Sequence, residues 1–404
     1  MKNPLSFALR KGYSLQLYKS AGEIPKTQWN KLVGDSSLFL SLNCLKALDK
    51  SWAEKHCFVY ALIYKDDVAF AALYFQAIDL SSVKIGSVIH AEPYGKFLKL
   101  VSDKITHSLL RRSGKGAKWL LVNGNMCASG AYGISCLPEN QAMLAKLYPD
   151  VLKYISDFLE EVGEVSVVII KDFLFQNDFL SAVLQNEKFI RFVMDPVMMM
   201  NIHPEWKDRE DYLQSLSSKY RLRATNVIAK IATLELRELD ERAIVKLADR
   251  LDVLYQSVIG KSPVRIVHPD IQYIIHLKEE LQDKFKVKCW FENGEPVAFY
   301  TALYSGKEVE AHHIGIDYHL NKSLALYQNI LYSLVQDSIQ HQSLKLNFGR
   351  TAMEMKSTVG AIPEEYAAYI KLNNRVLNHL LRPFLPSQSP EGWVQRDPFR
   401  KLSQ

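Results

Sequence analysis

Runs of apolar positions separated by polar turns divide the chain into short blocks. FVYALIY (58–64) and VAFAALYF (68–75) flank the turn Lys65-Asp66-Asp67, which predicts a β-hairpin. Far down the chain, VKCWFENGEPVAFYTALYSGKEVEAHHIGID (287–317) reads as strand, Asn-Gly turn, strand, turn, strand. Between them lie a short buried strand at Trp119–Val122, a glycine-rich loop GNMCASGAYG (124–133) and a long helix over 140–162. A β-branched strand VSVVIIKDF (165–173) and one extended apolar segment FVMDPVMMMNI (192–202) follow. Trp29, Leu32 and Val33 share a helical face near the start, and a second helix begins near Ser41. Residues 207–256 read as charge-rich helix and 323–341 as helix. In the next segment Leu344, Leu346 and Phe348 alternate with Lys345 and Asn347, until Gly349 ends the strand.

VAFAALY at 68–74 and VAFYTALY at 297–304 are nearly the same segment, each preceded by a strand and a polar turn and followed by a further strand-and-helix series. That order predicts a duplicated domain rather than a short-period solenoid. A boundary at HPEWKD gives an N-terminal domain of residues 1–204 and a C-terminal domain of residues 205–404.

A chain of 404 residues has room for two such cores. Its net charge of +6 is too small an excess for a nucleic-acid protein and suits anionic ligands or an acidic membrane surface. Cys44, Cys57, Cys127, Cys136 and Cys289 show no metal-ligand spacing, and their scatter predicts a reducing compartment; only Cys127 and Cys136, around the glycine-rich turn, are candidates for a disulfide. The start of the chain lacks a signal-peptide pattern, and the longest apolar run, Val68–Phe75, is far short of the ~20 residues of a spanning helix. The expected location is the cytoplasm, with contact at the inner membrane surface left open.

Several clusters carry candidate chemistry. Gly349, Arg350 and Lys356 follow the strand end, as ligand-holding cations or as solvated turn residues. Glu310, His312, His313, Asp317 and Tyr318 come from a strand and the turn after it; strict alternation points Glu310 and His312 to one face and His313 to the other, which is poor metal geometry. In SSKYRLRATN, Lys219 and Arg223 share a helix face beside Tyr220 and Arg221. This is either a cationic stripe for phosphate or a face balanced by Asp208, Glu210 and Asp211. Asn125 lies in the glycine-rich loop, which holds a ligand or only turns the chain. Lys171 and Asp172 end a buried strand as a functional or a local ion pair. Met198, Met199 and Met200 read as core, or as the wall of an acyl-chain tunnel.

The order hairpin, strand, helix, strand resembles the GCN5-related N-acyltransferase (GNAT) fold. HHIGIDYHLNKSLALYQNILYSLVQDSIQHQSLKLNFGRTAMEMKSTVGA is similar to the Fem-like, peptidoglycan-biosynthesis-like branch through Gly315, Asp317, Phe348, Gly349, Lys356 and Gly360. WNKLVGDSSLFLSLNCLKALDKS, LLVNGNMCASGAYG with VVIIKDF, and SSKYRLRATN resemble the same branch, so the likeness spans most of the chain. One motif is missing. The (Arg/Gln)-x-x-Gly-x-(Gly/Ala) loop that cradles acyl-CoA pyrophosphate is absent from IGIDYHLNKS, and GNMCASGAYG has glycines but no arginine.

The resemblance implies a mixed α+β fold of two tandem GNAT-like domains and transfer of an acyl group to a primary amine by direct attack. His312 or His313 would serve as base, with Asp317 nearby; Tyr318 would meet the developing oxyanion. Arg350, Lys356, Lys219, Arg221, Arg223, Asn125 and Gly349 would bind substrate. No tightly bound cofactor is implied. The donor is a long-chain acyl-CoA or acyl carrier protein, and the acceptor an amine of a cell-envelope or lipid precursor. Two alternatives remain: an aminoacyl-tRNA-dependent aminoacyltransferase of peptidoglycan precursors, and a non-catalytic ligand-binding scaffold.

Overall fold

Eight strands form in the first part of the chain, in a computed structural model that describes residues 4–10, 12–34, 37–52, 56–82, 117–261, 267, 269–382 and 392–400. They are β1 (Leu5–Ala8), β2 (Tyr13–Tyr18), β3 (His56–Lys65), β4 (Val68–Asp79), β5 (Ala117–Asn123), β6 (Ile134–Cys136), β7 (Gly163–Leu174) and β8 (Ile190–Val193). Then come β9 (Val197–Asn201), β10 (Glu235–Glu238), β11 (Phe285–Glu292), β12 (Glu295–Ser305), β13 (Glu308–Ile316), β14 (Lys345–Asn347), β15 (Ile362–Glu364) and β16 (Tyr366–Leu372). One sheet runs β1-β2-β3-β4-β5-β7-β16-β8 with β6 beside β4, and the other β10-β11-β12-β13-β14-β9-β15. Each contains a single parallel pairing among the described strands, β5 with β7 and β13 with β14. The fold class is mixed α+β, as the sequence implies.

The two near-identical segments, β4 and β12, occupy the same place in their sheets, second in a hairpin and next to the strand of the parallel pair. The hairpin turns form as predicted: Asp66 and Asp67 at one, Asn293 and Gly294 at the other, all have positive φ, the twist that two-residue turns between antiparallel strands favour.

The domain boundary differs from the one the sequence suggests. FVMDPVMMMNI is two strands, because Pro196 interrupts it: β8 joins the first sheet and β9 the second. The strand that sits beside β7 in the first sheet is β16, from near the end of the chain, and β9 takes the matching place beside β14. The compact units are therefore 1–194 with 263–268 and 365–390, and 195–262 with 269–364 and 391–404. The stretch 207–256 is likewise broken, into helices Arg209–Ser215, Ser218–Ala229, Glu241–Lys246 and Ala248–Ile259 around the exposed β10.

In the first unit helix Gln141–Leu159 buries Leu144, Leu147, Tyr148, Val151 and Ile155, the 3–4 spacing of one apolar face, against the sheet. In the second, β12 alternates. Tyr300 and Tyr304 face helix Leu326–Gln340, donating to the Asp337 carboxylate at 2.9 and 3.3 Å, while Lys288 Nζ reaches its other oxygen at 2.7 Å. Phe299 and Thr301 face the opposite way, where Phe299 meets Tyr255 of helix Ala248–Ile259. Met198 and Met200 of β9 are fully buried in the core on the Tyr300 side. Among the described residues no helix is long and apolar enough to cross a membrane.

Gly315 lies on the Phe299 side of β13, and a side-chain carbon there would fall on the Phe299 ring and 2.9 Å from Leu254 Cβ. Gly315→Ala is expected to destabilise the protein by about 1–3 kcal/mol through overpacking, read as a lower urea midpoint with unchanged slope.

Candidate functional site

Beyond β14, Arg350 and Lys356 bond the chain itself. Gly349 adopts φ +70°, followed by Thr351 at +68° and Ala352 at +48°, so the backbone reverses sharply. Its N–H is held by Asn347 Oδ1 at 2.7 Å. Lys356, in helix Met353–Ser357, folds back and donates from Nζ to the carbonyls of Gly349 (3.2 Å) and Arg350 (2.6 Å). Burial pushes its ammonium down from 10.5 to about 7. Arg350 Nε donates to the Asp195 carbonyl at 2.7 Å. Lys356 thus fixes where the short helix after the turn sits.

That helix forms one wall of a cavity of about 650 Å³. Helix Ser218–Ala229 supplies Lys219, Tyr220 and Arg223 as a second wall, and the C-terminal segment supplies Trp393 and Arg396 as a third. Lys219 and Arg223 reach it together because four residues make about one turn. Arg221, two residues on, turns away from the lining. Met353 and Met355 give the lining apolar surface. Met355 Sδ lies 3.2 Å from Gln328 Nε2 and 4.0 Å from Arg223 Nη2. The balancing acids have other tasks. Asp208 caps its own helix through the N–H groups of Glu210 and Asp211, Asp211 holds the Lys207 N–H, and Glu210 holds Gln214. Among the described residues neither Lys219 nor Arg223 is paired with a carboxylate. Glu354 is the one acidic residue in the lining, and it pairs with Arg396.

Sequence reasoning passed over the third wall. Segment 392–400 is tied down by Ser217 N–H to Pro398 O (2.9 Å), Arg400 N–H to Ser215 O (3.0 Å) and Gln395 Nε2 to Ala361 O (3.0 Å). Gly360 makes room for it, since a side-chain carbon there would strike the Phe399 ring. WVQRDPFR carries aromatic and basic residues, but no periodicity marks it as a wall.

The histidines are elsewhere. Strict alternation fails at β13, because Tyr300 pairs with Ile314 and Ala302 with Ala311, leaving Thr301 opposite both His312 and His313. This bulge turns both imidazoles to the same face, with ring centroids 3.9 Å apart. His313 Nδ1 meets Tyr255 OH at 2.7 Å, His312 Nε2 meets Tyr273 OH at 3.2 Å, and His313 Nε2 is buried without a partner. Burial pushes His313 down to about 3 and His312 well below its ordinary value. Bases that weak contribute little to proton abstraction at neutral pH. They lie on the Phe299 side of the sheet. The cavity is on the other side, where helix Ser218–Ala229 packs on helix Leu326–Gln340 through Asn329 Nδ2 to Val227 O at 3.0 Å.

Asp317 caps helix Tyr318–Leu324 by accepting from the His319 N–H at 3.0 Å and pairs with Arg250 at 2.9 Å. Burial pushes its carboxyl up, but Arg250 and the His319 N–H together hold it below the usual carboxylate range. A carboxylate therefore occupies the turn where the GNAT resemblance would seat a pyrophosphate. Tyr318 lies under the Lys261 ammonium, 3.1 Å from its ring centroid.

In the first unit Lys171 Nζ bonds the Asn125 and Ala128 carbonyls at 3.0 and 2.8 Å and pairs with Asp172, which takes the Gly130 N–H at 3.1 Å. Both charges are buried. Asn125 is fully buried with Nδ2 unpartnered. The pair pins the glycine-rich loop above a cavity of about 130 Å³. All five cysteines, Cys127 and Cys136 included, are unpaired.

No family model and no curated protein matches this sequence. Solved structures do. FemX matches at 9% identity with a TM-score of 0.56, over 89% of this chain and 99% of its own. L-PGS from Bacillus licheniformis matches at 10% and 0.45, over 83% and 94%. A tandem GNAT protein from the clavulanic acid biosynthesis pathway matches at 8% and 0.46, over 89% and 98%. At such identities these are likenesses of fold. The chain shares the fold of FemX.

Two outcomes follow from the buried lysines. Lys171→Met leaves Asp172 charged and buried, and is expected to cost about 3–5 kcal/mol in urea unfolding, much of it recovered in Lys171→Met with Asp172→Leu. For Lys356, the unfolded chain keeps the proton up to about 10.5 and the folded chain only below about 7. Between those values the unfolded state binds more protons, so stability rises with pH by at most about 1.4 kcal/mol per unit. Below 7 the penalty of the buried charge is fully present. The difference between wild type and Lys356→Met across pH 7–10 isolates this slope.

Proposed function

We propose that the protein is an N-acyltransferase that moves an acyl or aminoacyl group to a primary amine by direct attack, and that the cavity of the second unit holds the anionic part of a substrate. The observation that carries this reading is the cavity itself: Lys219, Arg223 and Arg396 share its lining with Met353, Met355 and Trp393 in a chain with the fold of FemX. Three cations and apolar surface suit a phosphate or carboxylate joined to a hydrophobic group. In the transfer the amine nitrogen bonds to the acyl carbon, the bond to the donor's thiolate or ribose oxygen breaks, and the nitrogen's proton leaves with the departing group or solvent.

The Asp317 carboxylate at the helix turn favours a donor that is not anchored by its pyrophosphate. An acyl group on a carrier protein meets that condition. So does an aminoacyl-tRNA, the second reading, which the FemX-like fold favours. The acceptor in either case is an amine of a cell-envelope or lipid precursor, met at the inner membrane surface.

Purified protein would be given acyl-CoA, acyl carrier protein thioester and aminoacyl-tRNA in parallel with an amine acceptor, and amide product followed by mass spectrometry. With whichever donor is used, Lys219→Ala with Arg223→Ala is expected to lower kcat/KM by about 10–100-fold. Arg221→Ala, off the lining, should change it less than about twofold. No amide from any donor would favour the non-catalytic scaffold.

A further inference from the structure

Glu354 is out of character with the rest of the cavity. It is a carboxylate among cations and apolar side chains, roughly half exposed. The Arg396 hydrogen bonds hold its carboxyl below the usual range. Arg396 directs both Nε, at 3.0 Å, and Nη2 at the same oxygen, Oε1. A guanidinium fork commonly meets a carboxylate or phosphate with two oxygens. Here the fork closes on one oxygen of a side chain from a neighbouring cavity wall, while Arg223 Nη2 lies 4.0 Å from the Met355 thioether. Arg396 is itself carried on the C-terminal segment, whose backbone is fixed by Arg396 N–H to Ser357 Oγ at 3.0 Å, so its place in the lining does not depend on Glu354 alone.

We propose that the Glu354 carboxylate occupies the seat of an anionic ligand and is exchanged for it on binding, Arg396 passing from Glu354 to a phosphate group that Arg223 and Lys219 also reach. The ligand is a phosphate ester carrying an apolar group, which lies on Met353, Met355 and Trp393. Glu354 then sets charge selectivity. A doubly charged phosphate displaces it more readily than a singly charged carboxylate, and a neutral or cationic amphiphile has nothing to exchange. This rests on reading the cavity as a substrate site, but not on the transfer reaction.

The test is direct calorimetric binding with the full chain and no acyl donor. Octyl phosphate, inorganic phosphate and octyltrimethylammonium are the probes, against wild type, Glu354→Gln and Arg396→Gln, with thermal unfolding confirming that each variant is folded. Octyl phosphate is expected to bind wild type more tightly than inorganic phosphate does, and octyltrimethylammonium not at all. Glu354→Gln should tighten octyl phosphate about threefold or more, because the competing exposed ion pair is gone, and Arg396→Gln should weaken it by about tenfold. A second arm uses phosphatidylcholine vesicles containing phosphatidic acid: tightening by Glu354→Gln there as well assigns the phosphate to a bilayer lipid, and tightening in the first arm alone assigns it to a soluble ester. The proposal is overturned if Glu354→Gln leaves octyl phosphate binding unchanged or weakens it, which is what a purely structural tie to the C-terminal segment would produce, or if neither protein binds octyl phosphate. Failure to find transfer while the exchange holds would sink the enzyme reading alone.

Discussion

The first sheet of this protein cannot be completed from the stretch of chain that supplies its other strands. The place beside β7 is filled by β16, some 190 residues later along the sequence at Tyr366–Leu372, and the place beside β14 by β9 at Val197–Asn201. Both strands pair antiparallel on both sides, so each is internal and hydrogen-bonded along both edges. The turn after β14 is stacked on β9, whose Met198 amide and carbonyl bond Gly349 and Phe348. The cavity wall begins three residues later.

A buried lysine then sets the loop in each unit, by a similar device. Lys171 and Lys356 each carry an amine into the interior and spend its donors on backbone carbonyls of an adjacent loop. The surroundings differ. Lys171 has Asp172 as a counter-ion. Lys356 has two carbonyls, which satisfy both N–H groups of a neutral amine, in keeping with its lowered proton affinity. Carbonyls on tight turns lack regular ladder partners, and an unsatisfied one in the interior is costly.

What the sequence disclosed, and what it withheld, follow the range of the forces involved. The hairpins were legible because Lys-Asp-Asp and Glu-Asn-Gly turns act locally, and helix Gln141–Leu159 because its apolar spacing does. The stripe of Lys219 and Arg223 was legible for the same reason. The bulge at His312 and His313 was not. It is set by Thr301 across the strand pair, whose Oγ1 takes the His313 N–H at 2.8 Å. The placing of β9 and β16 was hidden because a strand's composition does not name its partner. Trp393 and Arg396 were hidden because the segment that carries them has no period at all, and is held by contacts to residues far from it in sequence. Pro196 is a local signal of the break: it cannot donate to a ladder, and it marks where the chain leaves one sheet for the other.

A duplicated gene usually frees one copy to decay. The return of β16 to the first sheet restricts that path. Deleting the first unit would leave β16 without a sheet, although β9–β15 would keep every strand of the second. A cut between β8 and β9 would leave the second sheet with all its strands and take from the first the strand between β7 and β8. The first unit therefore depends on chain that lies beyond the strands of the second.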